Sequence, residues 1–112
     1  MLNSENRLRK RKEFGYIYKK GKVVYSPYLN IIYVDNNRKN FKMGFSVSKK
    51  IGKAVVRNKI KRRLSAIIRE NLNLVKNEYN YVVVAKPDID KLTYVQLKED
   101  FEKTLRKGNF LK

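Results

Sequence analysis

With 112 residues, 13.4 kDa and a formal net charge of +18, the chain has room for a single core and carries more cations than a compact fold can direct at its own acids. It contains no cysteine and no histidine, which excludes a disulfide framework, a Cys- or His-based metal site and any catalysis that uses histidine as a base or cysteine as a nucleophile. Ile, Leu, Val and Phe make up 34 of the 112 residues, above the roughly 20% below which a highly charged chain stays disordered, so a folded domain over residues 1–112 is expected.

The charge is polarised along the chain. Residues 1–70 carry 20 Lys or Arg against 4 acids, whereas residues 71–112 carry 8 against 6. Between Asp35 and Glu70 there is no acid, and twelve Lys or Arg fall in that span. Such self-repulsion costs stability unless a polyanion screens it, which makes nucleic acid the leading partner and an anionic membrane the runner-up. The start, "MLNSENRLRKRKEF", lacks the apolar core of a signal peptide, and the longest apolar run, "YVVVA" at 81–85, is too short to cross a bilayer. A cytoplasmic setting without membrane association is expected.

In chain order, "RKEFGYIYKKG" (11–21) puts Phe14, Ile17 and Tyr18 at helical spacing, and its lysines before a glycine suit a helix C-terminus. After the Ser26-Pro27 turn, "YLNIIYVD" reads as a strand, stopped by "NNRKN". A clearer strand follows, in which Phe41, Met43, Phe45 and Val47 alternate with Lys42, Gly44, Ser46 and Ser48. The short polar turn between these two strands predicts an antiparallel hairpin. A long helix is predicted from about Ala54, with Val56, Ile60, Leu64, Ile67 and Ile68 on one arc as its core face. "YNYVVVA" (79–85) reads as a central strand, and a last helix starts at a Thr93/Gln96 capping box with Leu97, Phe101 and Leu105 as its stripe and Gly108 as its end. With one extra strand around Val23–Tyr25, the order is α-β-β-(β)-α-β-α, an α+β two-layer sandwich on a small sheet.

The chemistry concentrates on the long helix. Counting 100° per residue from Arg57, Lys61 falls at about 40°, Ser65 at about 80°, Asn58 at about 100°, Arg69 at about 120° and Arg62 at about 140°, a polar sector beside the apolar arc. Arginine forks match phosphate oxygens, lysine adds a mobile point charge, and asparagine bonds a base edge, a ribose or neighbouring backbone. An ordinary solvated helix face would bring acids at i±4, and none occur here. Phe14 and Tyr18, four apart, read either as core or as a platform for unpaired bases. Tyr28 and Asn30 with Ser46 and Ser48 read either as a groove floor or as a routine exposed sheet face. Asp88 and Asp90, after Pro87, read as turn and helix-entry residues rather than as a metal pair.

The run "FSVSKKIGKAVVRNKIKRR", Phe45 to Arg63, closely resembles the signature of the bacterial ribonuclease P protein subunit, and "RLRKRKEFGYIYKKGK" resembles that family's first helix. The resemblance implies a ribosomal-protein-like fold with a mixed sheet and a left-handed βαβ crossover, against the general right-handed preference. It implies a holoenzyme that removes the 5′ leader of precursor tRNA by Mg²⁺-dependent phosphodiester hydrolysis, with the RNA as catalyst and the protein not catalytic alone. No metal is then expected on protein side chains, and the isolated protein is expected to be monomeric. Carried over by position, the RNA-binding helix comprises Arg57, Asn58, Lys59, Lys61 and Arg62, with Lys49, Lys50 and Lys53 leading in. The leader cleft takes Phe14 and Tyr18, with the exposed sheet face opposite. Two positions depart from the pattern: Ser65 stands where relatives have an arginine, and Ile32 where they often have an aromatic. Arg69, in the same helical sector, is the candidate to replace the missing arginine. The alternatives are a ribosomal or chaperone-like RNA binder without cleavage and a membrane-surface peptide, the latter disfavoured by the lack of bulky aromatics on the apolar face of the basic helix.

Overall fold

A computed structural model describes residues 2–112. Three helices and four strands follow one another as α1 (Arg11–Lys20), β1 (Lys22–Tyr25), β2 (Leu29–Asp35), β3 (Lys42–Ser46), α2 (Ala54–Glu70), β4 (Tyr79–Ala85) and α3 (Tyr94–Lys107), with short 3-10 turns at Ser4–Asn6 and Ile89–Lys91. The extra strand is real, α1 and α3 begin and end within a residue of where their patterns place them, and α2 begins at the expected Ala54.

The sheet order is β1-β2-β4-β3, with β1/β2 and β2/β4 antiparallel and β3/β4 parallel. The expected β2/β3 hairpin does not form, because β4 lies between those strands. Tyr81, Val82 and Val83 are buried on both faces of the sheet, and a strand apolar on both sides is more stable in the middle than at an edge. The hairpin is instead β1/β2, closed at Ser26, whose hydroxyl bonds the backbone of Leu29. β3, α2 and β4 make the parallel crossover unit.

Helices cover both faces. On one, Leu29, Ile31, Met43, Tyr81 and Val83 pack against Ile60, Leu64, Ile67 and Ile68 of α2 and Leu97, Phe101 and Leu105 of α3. Both helical stripes are those set by the 3.6-residue period. The Thr93 box closes as its sequence predicts, with Gln96 N–H donating to the Thr93 hydroxyl at 3.2 Å and Thr93 N–H donating to Gln96 Oε1 at 2.9 Å. On the other face, Ile17 of α1 is buried with Leu8 and Val82, flanked by Phe14, Ile32, Val34 and Val84. The N-terminal segment extends the sheet at its β3 edge, where Arg7 bridges Met43 and Leu8 N–H donates to Met43 O at 3.1 Å. Asp88, at φ 74°, and the Ile89–Lys91 turn make the chain reversal expected there, tied by a 3.0 Å Lys91–Asp88 pair.

Candidate nucleic-acid interface

The register of the sheet dictates what lies beside α1. Tyr25, Asn30, Val84 and Ser46 form one cross-strand row, and Val23, Ile32, Val82 and Gly44 form the next. Both rows share the α1 face, because side chains alternate along each strand and Ile32, Val82 and Val84 pack there. The second row lies under the helix. A Cβ on Gly44 would fall 2.4 Å from Phe14 Cζ, and one on Gly21 would fall 2.5 Å from Ile32 Cγ2. These two glycines are what allow α1 to sit on the strands.

The first row stays open. Tyr25 is 62% exposed, Asn30 and Ser46 are half-buried, and Ser48 continues outward past the end of β3. Phe14 is half-buried over the sheet, and Tyr18, 47% exposed, lies 6.5 Å from it ring to ring. Asn30 also serves the hairpin, accepting from Ser26 N–H at 3.4 Å. Tyr28 does not belong to this floor: it packs against the α2/α3 core and lines a pocket with Leu92, Gln96 and Asp100. Strand alternation starts at Leu29, so Tyr28 belongs to the Ser26–Leu29 turn and not to the alternating strand.

The basic helix begins without compensation. Lys53 is its N-cap, no side chain caps it, and no acid occupies its first turn. The helix dipole there favours an anion, and the nearest side chains are cations. Lys49 and Lys50 are exposed in the turn that Ile51 N–H closes onto Ser48 O at 3.1 Å. Arg57 is half-buried and fixes the entry to the helix, its Nε donating to Gly52 O at 3.2 Å. Asn58, Lys59 and Arg62 are exposed, whereas Arg63 turns to the opposite side and donates to Leu92 O at 3.4 Å. The acid that ends the helix, Glu70, bonds Lys98 of α3 at 2.9 Å, and that bond holds its carboxyl below the usual range. Glu70 therefore faces α3 and leaves the basic sector undiluted.

Ser65 is the main departure from the helical-wheel expectation. It is fully buried, and its hydroxyl donates to Lys61 O at 2.8 Å, the back-bonding typical of a short hydroxyl in a helix. The N-terminal segment explains the burial, because Leu2, Arg7 and Leu8 close over this stretch of α2. Together with Phe14, Gly44, Phe45, Lys61 and Ser65 they line a cavity of about 190 Å³. The cavity brings Phe14 of the expected leader surface together with Lys61 of the basic helix. Arg69, exposed at the last turn of α2, is not among its lining residues.

Arg7, which its sequence context does not single out, lines the same cavity beside Ser65. Its Nε is buried without a hydrogen-bond partner, a costly state for a guanidinium. Nothing in "SENRLRK" distinguishes Arg7 from its neighbours, since its placement comes from the tertiary bridge to Met43. Tyr25 was also missed. Nothing in "KVVY" singles it out; the β1/β2 register, which sets Tyr25 opposite Asn30, places it on the open row. Among the described residues, no three His, Cys, Asp or Glu side chains gather as a metal-ligand set, and no helix is long and apolar enough to cross a membrane.

The family model for Ribonuclease P matches residues 2–109. The "Ribonuclease P protein component" of Syntrophomonas wolfei is 39% identical over 108 residues, covering 96% of this chain and 91% of that protein. The protein of the same description from Clostridium botulinum strain 657 is 41% identical over 106 residues, covering 93% and 95%. The RNase P protein of Staphylococcus aureus superposes with a TM-score of 0.89 at 30% identity over 95% of this chain and 97% of its own. That of Thermotoga maritima superposes with a TM-score of 0.84 at 27% identity over 91% and 96%. This chain belongs to the ribonuclease P protein family, and it is the protein component of an endoribonuclease ribonucleoprotein.

Proposed function

We propose that within ribonuclease P this chain docks the catalytic RNA on the basic face of α2 and holds the 5′ leader of precursor tRNA between α1 and the open row of the sheet. Lys49, Lys50, Lys53, Arg57, Asn58, Lys59, Lys61 and Arg62 neutralise backbone phosphates of the catalytic RNA. Phe14 and Tyr18 stack leader bases, and Tyr25, Asn30, Ser46 and Ser48 form the floor beneath. The observation that carries this reading is the cavity shared by Phe14 and Lys61, which makes the aromatic and cationic surfaces continuous. A strand that stacks on α1 can then reach the cations of α2 without leaving the protein.

The chain's own chemistry is positioning and charge neutralisation. Among the described residues no ligand set for a metal gathers, and the chain has no histidine to act as a general base. In this reading Mg²⁺ would be held by the folded RNA and would supply charge stabilisation for phosphodiester hydrolysis. By neutralising phosphates the protein favours the compact RNA that binds those ions. Arg69 remains a contributor at the far end of the face: Arg69→Ala should weaken precursor-tRNA binding, and unchanged affinity and turnover would remove it from the site.

The test mixes the protein with a cognate catalytic RNA and precursor tRNA at low Mg²⁺. Cleavage at the mature 5′ end is expected to be stimulated, and more for a leader-bearing substrate than for one whose leader is cut to a single nucleotide. Binding to ribosomal RNA with no stimulation of cleavage would overturn this reading in favour of a non-catalytic RNA chaperone.

A further inference from the structure

We propose that the opposite flank of α1 is a second binding surface for single-stranded RNA, with Tyr16 as its stacking platform. The proposal rests on the reading that this protein works on RNA, but it uses none of the residues assigned above. At 100° per residue Tyr16, two residues from each, lies about 160° round the helix from both Phe14 and Tyr18, so the rings straddle the helix. Tyr16 is 59% exposed, and Lys12 and Lys20 bracket it one turn away on each side.

Two surface depressions meet at Tyr16. One, of about 310 Å³, includes Lys12, Val34 and Arg38; the other, of about 240 Å³, includes Lys20, Lys22 and Val34. Together they make a trough along α1 with an apolar floor and four cations on its rim. From Lys12 to Lys20 the helix rises roughly 12 Å, enough for a short run of nucleotides.

Two acids also lie here, and they decide the class of ligand. Glu13 is engaged by Lys42 at 3.8 Å. Asp35 is exposed and lines both depressions. An acidic peptide laid along the trough would meet Asp35 as a like charge. A nucleotide brings ribose hydroxyls and base amines that donate to a carboxylate, phosphates that suit the rim, and a π-face for Tyr16. A plain solvated flank would place lysines there without an exposed ring between them.

The full chain is titrated with a fluorescein-labelled ten-nucleotide single-stranded RNA, and a 4-thiouridine version is photo-crosslinked and mapped by peptide. Crosslinks are expected at Tyr16 as well as near Phe14 and Tyr18. Tyr16→Ala should weaken binding roughly 5- to 150-fold, the range for one stacked base, while Tyr16→Phe retains affinity. Lys12→Ala with Lys20→Ala should flatten the salt slope by roughly 0.7 per phosphate lost. Unchanged thermal midpoints would show that these exposed substitutions leave the fold intact. If Tyr16→Ala binds like the parent and gives no crosslink change while Phe14→Ala and Tyr18→Ala weaken binding, the second surface is refuted and the leader reading stands. If all three variants bind like the parent, both fall. Binding of labelled polyglutamate that depends on Tyr16, with RNA affinity unaffected, would also overturn the proposal.

Discussion

Gly44→Ala tests how the sheet sets the aromatic surface. The added methyl would lie 2.4 Å and 2.6 Å from two ring carbons of Phe14 and 3.2 Å from Leu8 Cβ, where comfortable carbon contacts need about 3.5–4.0 Å. The ring must move by more than about 1 Å, and with Leu8 and the β3 edge beside it the easiest direction is away from the sheet. Overpacking of this kind costs about 1–3 kcal/mol, offset by about 0.4–1 kcal/mol from the smaller entropy of the unfolded chain. Urea denaturation should therefore show a net loss of up to about 2.5 kcal/mol. Displacing the ring should also forfeit a stacked base, worth about 1–3 kcal/mol, so affinity for leader-bearing precursor tRNA falls while affinity for leaderless tRNA holds. The double variant Gly44→Ala/Phe14→Ala removes the clash, and its stability loss should be smaller than the sum of the two single losses. Additive losses, or equal weakening for both tRNAs, would show that Gly44 does not position Phe14 for the leader.

The remaining predictions probe other parts of the molecule. Arg62→Ala should reduce the slope of log affinity against log salt for the catalytic RNA by roughly 0.7–0.9, whereas Arg63→Ala, whose guanidinium is directed at Leu92 O, should leave that slope unchanged. Thr93→Ala removes the cap of α3, a helix with no residue assigned to RNA, and should cost about 1 kcal/mol in thermal or urea unfolding with no effect on RNA affinity. Burial raises the Asp100 carboxyl pKa, partly opposed by the Ser26 hydroxyl. A carboxyl whose pKa is higher folded than unfolded opposes folding once it ionises, so the penalty is present above the folded-state pKa and absent below the unfolded one. Asp100→Asn should therefore gain stability relative to the parent at about pH 7, and that gain should vanish in urea titrations at about pH 3.

Much of this architecture was legible because local and tertiary signals agree. The stripes of α2 and α3, the Thr93 box and the β4 run are each written in a few adjacent residues, and each packs as written. Strand order was not legible, because a short polar turn between β2 and β3 is equally consistent with pairing or with flanking a third strand. What decided it was the two-sided burial of Tyr81–Val83, which becomes a constraint only once helices occupy both faces. Tyr28 and Ser65 were misplaced for related reasons. Extending strand alternation through the Ser26 turn put Tyr28 on the wrong face, and a helical wheel treats everything outside the apolar arc as open to water. Ser65 lies outside that arc and is nonetheless buried, because a segment some sixty residues earlier in the chain lies over it.

That burial alters what the missing arginine means. A long cation at position 65 would have to thread out past Leu2, Arg7 and Leu8, whereas serine satisfies its hydroxyl on the Lys61 carbonyl and leaves space beside it. Beside Lys61, a further positive charge at that space comes from Arg7, on a segment held by the β3 edge. Its Nε lacks a protein partner, and α2 starts with neither a cap nor an acid. Each of these is a local cost that a chain selected for stability alone would remove, for instance with an acid in the first turn of α2. The costs share one sign, since every uncompensated group is a donor or a cation. The cavity that holds Arg7 lies between Lys61 of α2 and Phe14 of α1. In the proposed reading, a folded RNA carrying a single-stranded leader would offset these costs together, with phosphates for the cations and unpaired bases for Phe14.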